Sequence, residues 1–422
     1  PTFTHLFNMA LGFLVGLLAA TATAILAIGC LSTINIFTRI ISSVILLWRK
    51  FMVPTKPGKK NAGNRKERVL LVTDTGPTNI CGVLRKFHEL QVHLKEQGCE
   101  VEVIHTGQFL AFPAPWFKEV ELPIPTPYML TQVALTIERF DPDHINIMTE
   151  GTLGLVTRCH CTLAGRNFTT MWCTRFDLYM EEVMSVLAGM ARFFMKWFHG
   201  RSQRVITPSP SMGRELIREE LVGKEKCRPI MNGCNTSAFT PHGLKCAEMK
   251  DMVKPIWLYV GRVSQEKNVL KFLELHDKLP GSLVLVGKGP FFDEGVDRFA
   301  SDKVKFLGWK SGEDLAATYR SADVFVFPSR TDTFGQVMVE AMASGLPVAA
   351  FPVTGPIDVV ASEDVGCVDK DLYKACMTAY HTKDKVKCVK YAKTFSWSSM
   401  TSQFLEVQRE VAGKSSIHRR PS

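Results

Sequence analysis

The sequence predicts an α/β protein made of two successive parallel-sheet units behind an apolar N-terminal segment. Three observations carry this: an uncharged stretch from Phe7 to Phe37, a series of short apolar runs alternating with helical patterns from Val69 onward, and a second such series after Lys245 to Lys254. In the first series Val69-Leu-Leu-Val72 reads as a strand, Val83 to Gln97 as a helix and Val101 to His105 as a strand, with further strands at His144-Ile-Asn-Ile147, Phe168 to Trp172 and Val205-Ile-Thr207. In the second, strands are expected at Ile256 to Val260, Leu283 to Val286, Val304-Lys-Phe306 and Val324 to Phe327. Short β-branched runs separated by helices are the pattern of a parallel sheet covered on both faces. Two Rossmann-like domains follow, facing a cleft in which a ligand is expected outside the carboxyl ends of the strands. The expected ranges are 1–50 for a membrane anchor, 51–67 for a basic linker, 68–240 and 250–390 for the two domains, and 391–413 for a helix returning to the first.

At 422 residues the chain exceeds one typical core, and its 46% apolar and 22% charged composition is that of a globular protein. The uncharged stretch is longer than the roughly 20 residues that cross a bilayer, so one transmembrane segment is expected. Arg39 interrupts a second apolar run, Ile40 to Trp48, which is too short to span alone and suits the interface or an extension of the first helix. Basic residues follow at once, in Trp48-Arg-Lys50, Lys56-Pro-Gly-Lys-Lys60 and Arg65-Lys-Glu-Arg68. Positive charge on that flank puts the following domain on the cytosolic side of a single-pass protein, with the organelle left open between endoplasmic reticulum, plastid envelope and others. The triplets Asn167-Phe-Thr and Asn235-Thr-Ser, which match glycosylation sequons, point instead to a lumenal domain. The chain opens on Pro1, so its natural start, with any targeting peptide, is expected to lie outside it.

The net charge of +10 belongs largely to the membrane flank, and no nucleic-acid motif accompanies it, so nucleic acid is not an expected partner. Twelve scattered cysteines, with Cys159-His-Cys161 the one tight pair, lack the spacing of a structural zinc site and read as reduced core thiols.

The chemistry concentrates in Phe327-Pro-Ser-Arg-Thr-Asp-Thr-Phe-Gly-Gln-Val-Met-Val-Glu-Ala-Met-Ala-Ser-Gly345. A buried strand ends at Pro328, a polar turn follows, and a helix is expected from near Phe334 to Gly345. Such a turn delivers free helix N–H groups to the cleft, where a phosphate is favoured. Asp332 and Glu340, eight positions apart, place two carboxylates that accept hydrogen bonds from sugar or ribose hydroxyls. The same residues also fit a capped structural helix. In Tyr259-Val-Gly-Arg-Val-Ser-Gln-Glu-Lys-Asn268, Arg262 and Lys267 supply two cations that neutralise a departing diphosphate, or else form surface salt bridges. In Thr73-Asp-Thr-Gly-Pro-Thr-Asn-Ile-Cys-Gly82, the glycines do not make the dinucleotide fingerprint, which disfavours a nicotinamide enzyme.

In order and spacing these segments resemble the family 4 retaining glycosyltransferases of the GT-B fold, over residues 68 to 410. Asp332 stands where that family usually has the first Glu of a Glu-x7-Glu pattern, a variant similar to glycolipid mannosyltransferases. The resemblance implies that Glu340 binds the nucleotide ribose, Asp332 the donor sugar, the backbone of Thr333, Phe334 and Gly335 the diphosphate, and Arg262 and Lys267 clamp that diphosphate. It implies that Gly82 lies nearest the substrate in the first loop and that Lys288, in Val286-Gly-Lys-Gly-Pro290, lies beside base and phosphate. The loop Val353-Thr-Gly-Pro-Ile-Asp358 is expected to close over the donor.

Met171-Trp-Cys-Thr-Arg-Phe-Asp-Leu-Tyr179 departs from the family, which usually reads His-Thr-x-Phe-x-x-Tyr there. Thr174, Arg175 and Tyr179 keep the pattern as sugar or acceptor contacts, but Cys173 replaces the histidine, and a thiol cannot carry the imidazolium charge. Phe112-Pro-Ala-Pro-Trp-Phe117 is similar to the plastid sulfoquinovosyl-lipid synthases, and Met184 to Phe198 suits either an interfacial or a core helix. The resemblance thus implies transfer of a hexose from GDP-mannose or a UDP-hexose to a membrane lipid, with a nucleotide sugar, that lipid and the bilayer as partners. No metal or other cofactor is expected. The alternatives are a catalytically impaired, membrane-bound homologue acting as a subunit and a lumenal transferase directed at protein or glycan.

Overall fold

The computed structural model describes residues 65–76, 82–114, 117–183, 185–382 and 384–417. The apolar segment from Phe7 to Phe37, the anchor range 1–50 and most of the linker lie outside the described residues; among the described residues no helix is long and apolar enough to cross a membrane. Two compact units account for the rest. The first comprises the described residues to Thr207, Leu216–Arg228 and those from Thr401; the second comprises Pro208–Glu215 and Pro229–Met400.

In the first unit the chain runs β1 (Arg68–Thr73), α1 (Gly82–Glu96), β2 (Glu100–His105), β3 (Ala111–Ala114), β4 (Phe117–Pro123), α2 (Pro127–Phe140), β5 (His144–Ile147), α3 (Thr152–Leu163), β6 (Thr169–Met171), α4 (Phe176–Val183), α5 (Ser185–Gly200) and β7 (Arg204–Thr207). Helix α6 (Pro210–Arg218) and β8 (Cys227–Pro229) follow. Six strands form one sheet in the order β2-β1-β5-β6-β7-β8, with β1 parallel to both β2 and β5. Val69 to Val72 are wholly buried because a central parallel strand is covered on both faces, which is why it reads as an unbroken apolar run. Helix α2 begins where the Thr126 hydroxyl accepts the Met129 N–H at 3.2 Å with Pro127 in its first turn, and ends at Asp141 in the left-handed region. Ala191, Met195 and Phe198 of α5 are buried, so α5 is a core helix on that face.

The second unit runs β9 (Ile256–Val260), α7 (Val269–Leu273), β10 (Ser282–Val286), α8 (Phe292–Phe299), β11 (Val304–Phe306), α9 (Gly312–Ser321), β12 (Val324–Phe327), α10 (Gln336–Ala343), β13 (Val348–Ala350), α11 (Pro356–Val359), β14 (Gly366–Val368), α12 (Leu372–His381) and α13 (Lys385–Ala392). Its sheet has the order β11-β10-β9-β12-β13-β14, with every pair parallel. Alternate residues of β9 serve two cores: Ile256, Leu258 and Val260 join one, Trp257 and Tyr259 the other. The order reverses between β9 and β12, which makes the carboxyl ends of these strands the topological switch point. The last helix, α14 (Trp397–Ile417), belongs to the second unit through Met400 and to the first from Thr401, where the Gln408 side chain donates to Thr169 Oγ1 at 2.7 Å.

The strands expected at His144–Ile147, Ile256–Val260, Val304–Phe306 and Val324–Phe327 form with those bounds. The antiparallel hairpin β3–β4 and the short strands β8, β13 and β14 add to the expected set. Helix α10 starts at Gln336 rather than near Phe334, because Gly335 at φ +85° turns the chain first.

The loops after β9 and β10 touch backbone to backbone. Gly261 N donates to Val286 O at 3.0 Å, Val263 N to Lys288 O at 3.0 Å and Phe291 N to Val263 O at 3.0 Å. A Cβ on Gly287, at φ +135°, would stand 1.9 Å from Gly261 O. Gly287→Ala is therefore predicted to lower stability by at least about 1–3 kcal/mol, through overpacking together with backbone strain. Urea unfolding followed by tryptophan fluorescence measures it, and an unchanged midpoint would mean that the two loops yield at little cost.

Candidate active site

The carboxyl edge of the second sheet gathers four loop segments. Tyr259 Oη donates to Arg262 O at 2.7 Å, and burial, with the charges of Asp332 and Glu266 nearby, holds this phenol well above its usual range, so it remains an O–H donor. Asn268 Nδ2 donates to Pro328 O at 3.1 Å, and the Ser329 and Thr331 hydroxyls donate to Glu266 O at 3.5 and 3.3 Å. The loops after β9 and β12 are thereby laced together.

Lys267 and Asp332, expected as diphosphate clamp and sugar contact, meet directly, with Lys267 Nζ 2.6 Å from Asp332 Oδ2. The other carboxylate oxygen of Asp332 accepts the Phe334 N–H at 3.2 Å, so one acid fixes both the lysine and the turn. Asp332 stands in this turn, four residues ahead of α10, and only Glu340 lies on the helix itself. The helix starts from Gly335 with no side chain capping its first turn, which leaves amide N–H groups oriented for an anion. Thr333 is half-buried, and Phe334 is buried with its ring 6.1 Å from that of Phe395. Glu340, 2% exposed, accepts a hydrogen bond from Tyr319 Oη at 3.2 Å. Lys288 is exposed on the β10 loop with its Nζ 4.4 Å from the centre of the Phe292 ring, and Arg262 is half-buried on the loop pinned by Tyr259. The loop at Val353–Asp358 is held by Ser211, whose N–H donates to Asp358 Oδ2 at 2.7 Å and whose Oγ accepts the Gly355 N–H at 3.1 Å.

At the carboxyl edge of the first sheet, Gly82 is the exposed first residue of α1, and residues 77–81 before it lie outside the described set. Cys173 is half-buried, its Sγ donating to Met148 O at 3.6 Å. Thr174 is exposed and Tyr179 lies on α4. Arg175 is committed elsewhere: its guanidinium donates to both oxygens of buried Asp177, at 2.9 and 2.8 Å, and to Glu219 at 2.8 Å. Its charge is thus paired with two carboxylates inside the unit.

Three residues escaped sequence reasoning. Tyr319, which holds Glu340, carries no local signal. Lys86 is buried on α1, and its spacing of four from Leu90 and eight from Leu94 is a readable sign that it shares their core face. Asp74, directly after β1, accepts the Leu153 N–H at 2.7 Å, the Gly154 N–H at 3.3 Å and the Thr149 hydroxyl at 2.8 Å. It caps α3 from a distance, since Gly151 at the N-cap offers no side chain.

Burial outweighs those three hydrogen bonds and pushes the Asp74 carboxyl from 3.8 up to about 6. The folded chain thus keeps a proton between these values that the unfolded chain has released. The group's stabilising contribution is complete below about pH 4 and is lost as pH rises through about 6. Relative to Asp74→Asn, the wild type is predicted to lose on the order of 3 kcal/mol between about pH 4 and pH 7, read from urea unfolding at both. Parallel pH profiles for the two proteins would overturn this.

Two family models match the chain, Glycosyltransferase Family 4 over residues 80–238 and Glycosyl transferases group 1 over residues 247–389. A sulfoquinovosyl transferase from Arabidopsis thaliana is 26% identical over 326 residues, covering 72% of this chain and 63% of that protein. A GDP-mannose-dependent alpha-mannosyltransferase from Mycolicibacterium smegmatis is 28% identical over 340 residues, covering 74% of this chain and 87% of its own. Among solved structures, a sucrose-phosphate synthase from Thermosynechococcus elongatus superimposes with a TM-score of 0.66 at 19% identity, covering 83% of this chain and all of its own, a likeness of fold.

Proposed function

The chain belongs to the family 4 glycosyltransferases and has the GT-B fold, and on that premise we propose that it moves a hexose from a nucleoside diphosphate sugar to a hydroxyl of a membrane lipid, with retained anomeric configuration. The observation that carries this reading is that the loops bearing Arg262, Lys267 and Lys288 and the uncapped start of α10 all lie on the switch-point edge of one sheet. Cations and oriented amides there stabilise the charge that develops on a departing diphosphate, and they do so without a metal ion.

In the proposed reaction the bond from the anomeric carbon to the diphosphate oxygen breaks as a bond to the acceptor oxygen forms on the same face. The acceptor's proton passes to the departing phosphate oxygen. The protein contributes position and field rather than a nucleophile. Asp332 holds Lys267 and the turn in register for this, and Glu340 presents a carboxylate to the ribose hydroxyls. GDP-mannose and UDP-hexoses are the proposed donors, the first supported by the mycolicibacterial relative's name. A lipid acceptor fits the uncharged stretch Phe7–Phe37 and its basic flank, proposed as a single-pass anchor with the catalytic units in the cytosol.

One observation favours a second reading, a homologue with impaired catalysis. Cys173 directs its thiol at Met148 O, where the family resemblance calls for a charge-bearing histidine.

The test is donor turnover by the purified chain in detergent, across nucleotide sugars, with and without membrane lipid. One donor is predicted to turn over faster with lipid, unaffected by EDTA. Arg262→Ala is predicted to lower kcat roughly a hundred- to a thousandfold while leaving the thermal midpoint in place. Silence from the wild type with every donor, and activity in Cys173→His, would establish the impaired homologue instead.

A further inference from the structure

Lys86 is 3% exposed, and its Nζ has no hydrogen-bond partner among the described residues. An ammonium carries three donors, and burying it unpaired is costly. The long lysine stem usually carries its head to water, but this one does not. It lies on the second turn of α1, the helix that follows β1, facing inward with Leu90 and Leu94. Burial lowers the lysine's pKa, and Cys173 is near enough to act on it electrostatically in the opposite sense. The Cys173 thiol itself rests on Met148 O. Cys173 and Met148 follow β6 and β5, so the lysine belongs to the carboxyl edge of the first sheet.

The acids of that edge have other partners. Asp74 caps α3, Glu150 Oε1 lies 3.2 Å from His199 Nε2, and Asp177 is held by Arg175. No carboxylate among the described residues hydrogen-bonds to Lys86 Nζ.

We infer that Lys86 is an oxyanion-binding residue of the first unit, receiving a phosphate, sulfonate or carboxylate group of a substrate held beside Cys173. Such a group offers several acceptors to the three ammonium donors and supplies the missing countercharge. The anion site stands on this chain's own residues, whereas its assignment to a substrate rests on the transferase reading.

The experiment compares wild type, Lys86→Met and Lys86→Arg in thermal shift titrations with inorganic phosphate, sulfate and acetate at fixed ionic strength, with GDP and UDP present to occupy the second unit. Wild type and Lys86→Arg are expected to show an anion-dependent rise in Tm, with apparent affinity about 10- to 100-fold weaker in Lys86→Met. Without anion, Lys86→Met is expected to be at least as stable as wild type, because it removes a buried unpaired charge and keeps the stem. The same anion response in Lys86→Met, no response in wild type, or a Lys86→Met variant destabilised with its anion response intact would each overturn the assignment.

Turnover locates the anion. A raised KM for donor in acceptor-free hydrolysis places it on the donor sugar, and a raised KM for acceptor alone places it on the acceptor. A chain that turns over no donor would defeat the transferase reading while the phosphate titration still decided Lys86.

Discussion

The close approach of the Gly261 and Gly287 backbones governs the second unit's working edge. With no Cβ between them, the loops after β9 and β10 exchange main-chain hydrogen bonds, and Arg262 and Lys288 are carried on one framework rather than on two independent loops. Lys267 then ties that framework to the β12 turn through Asp332, and Asn268 ties it again through Pro328 O. Loops held in this way keep cations near one another despite their mutual repulsion, which is what a site for a diphosphate demands before the ligand arrives.

Both units pair charged groups structurally. In the first, Arg175, Asp177, Glu219 and Arg192 form one network, and Glu410 of α14 accepts from both Arg204 and Arg228. Such pairs fix structure, and removing one member leaves the other charge stranded. Lys86 stands outside both networks, which is why it reads as prepared for a ligand. In the second unit Arg262, Lys267 and Lys288 stand on loops at the switch point, while pairs such as Arg320–Glu313 and Lys254–Asp323 lie elsewhere.

The sequence made much of this architecture legible because parallel strands buried on both faces are continuous apolar runs. Ile256–Val260 and Val324–Phe327 are wholly apolar and were read to the residue, as was His144–Ile147. The hairpin β3–β4 escaped because Pro113 and Pro123 break its alternation, and β13 and β14 escaped because three residues carry no period. At the site, spacing identified Asp332 and Glu340 but not that Asp332 would hold Lys267, because an ion pair between residues 65 positions apart leaves no local trace. The pairing of Arg175 with Glu219 left no local trace either, since the two lie 44 positions apart. Lys86 was missed because a lysine on an amphipathic helix is ordinarily a solvated residue.

Hydrogen–deuterium exchange of the intact chain, with and without GDP and UDP, tests the central claim most directly. A nucleoside diphosphate seated on the switch-point edge of the second sheet is predicted to slow exchange at the amides of Arg262–Asn268, Lys288–Gly289 and Thr333–Val337. No protection with either nucleotide, or protection confined to the first unit, would contradict the account.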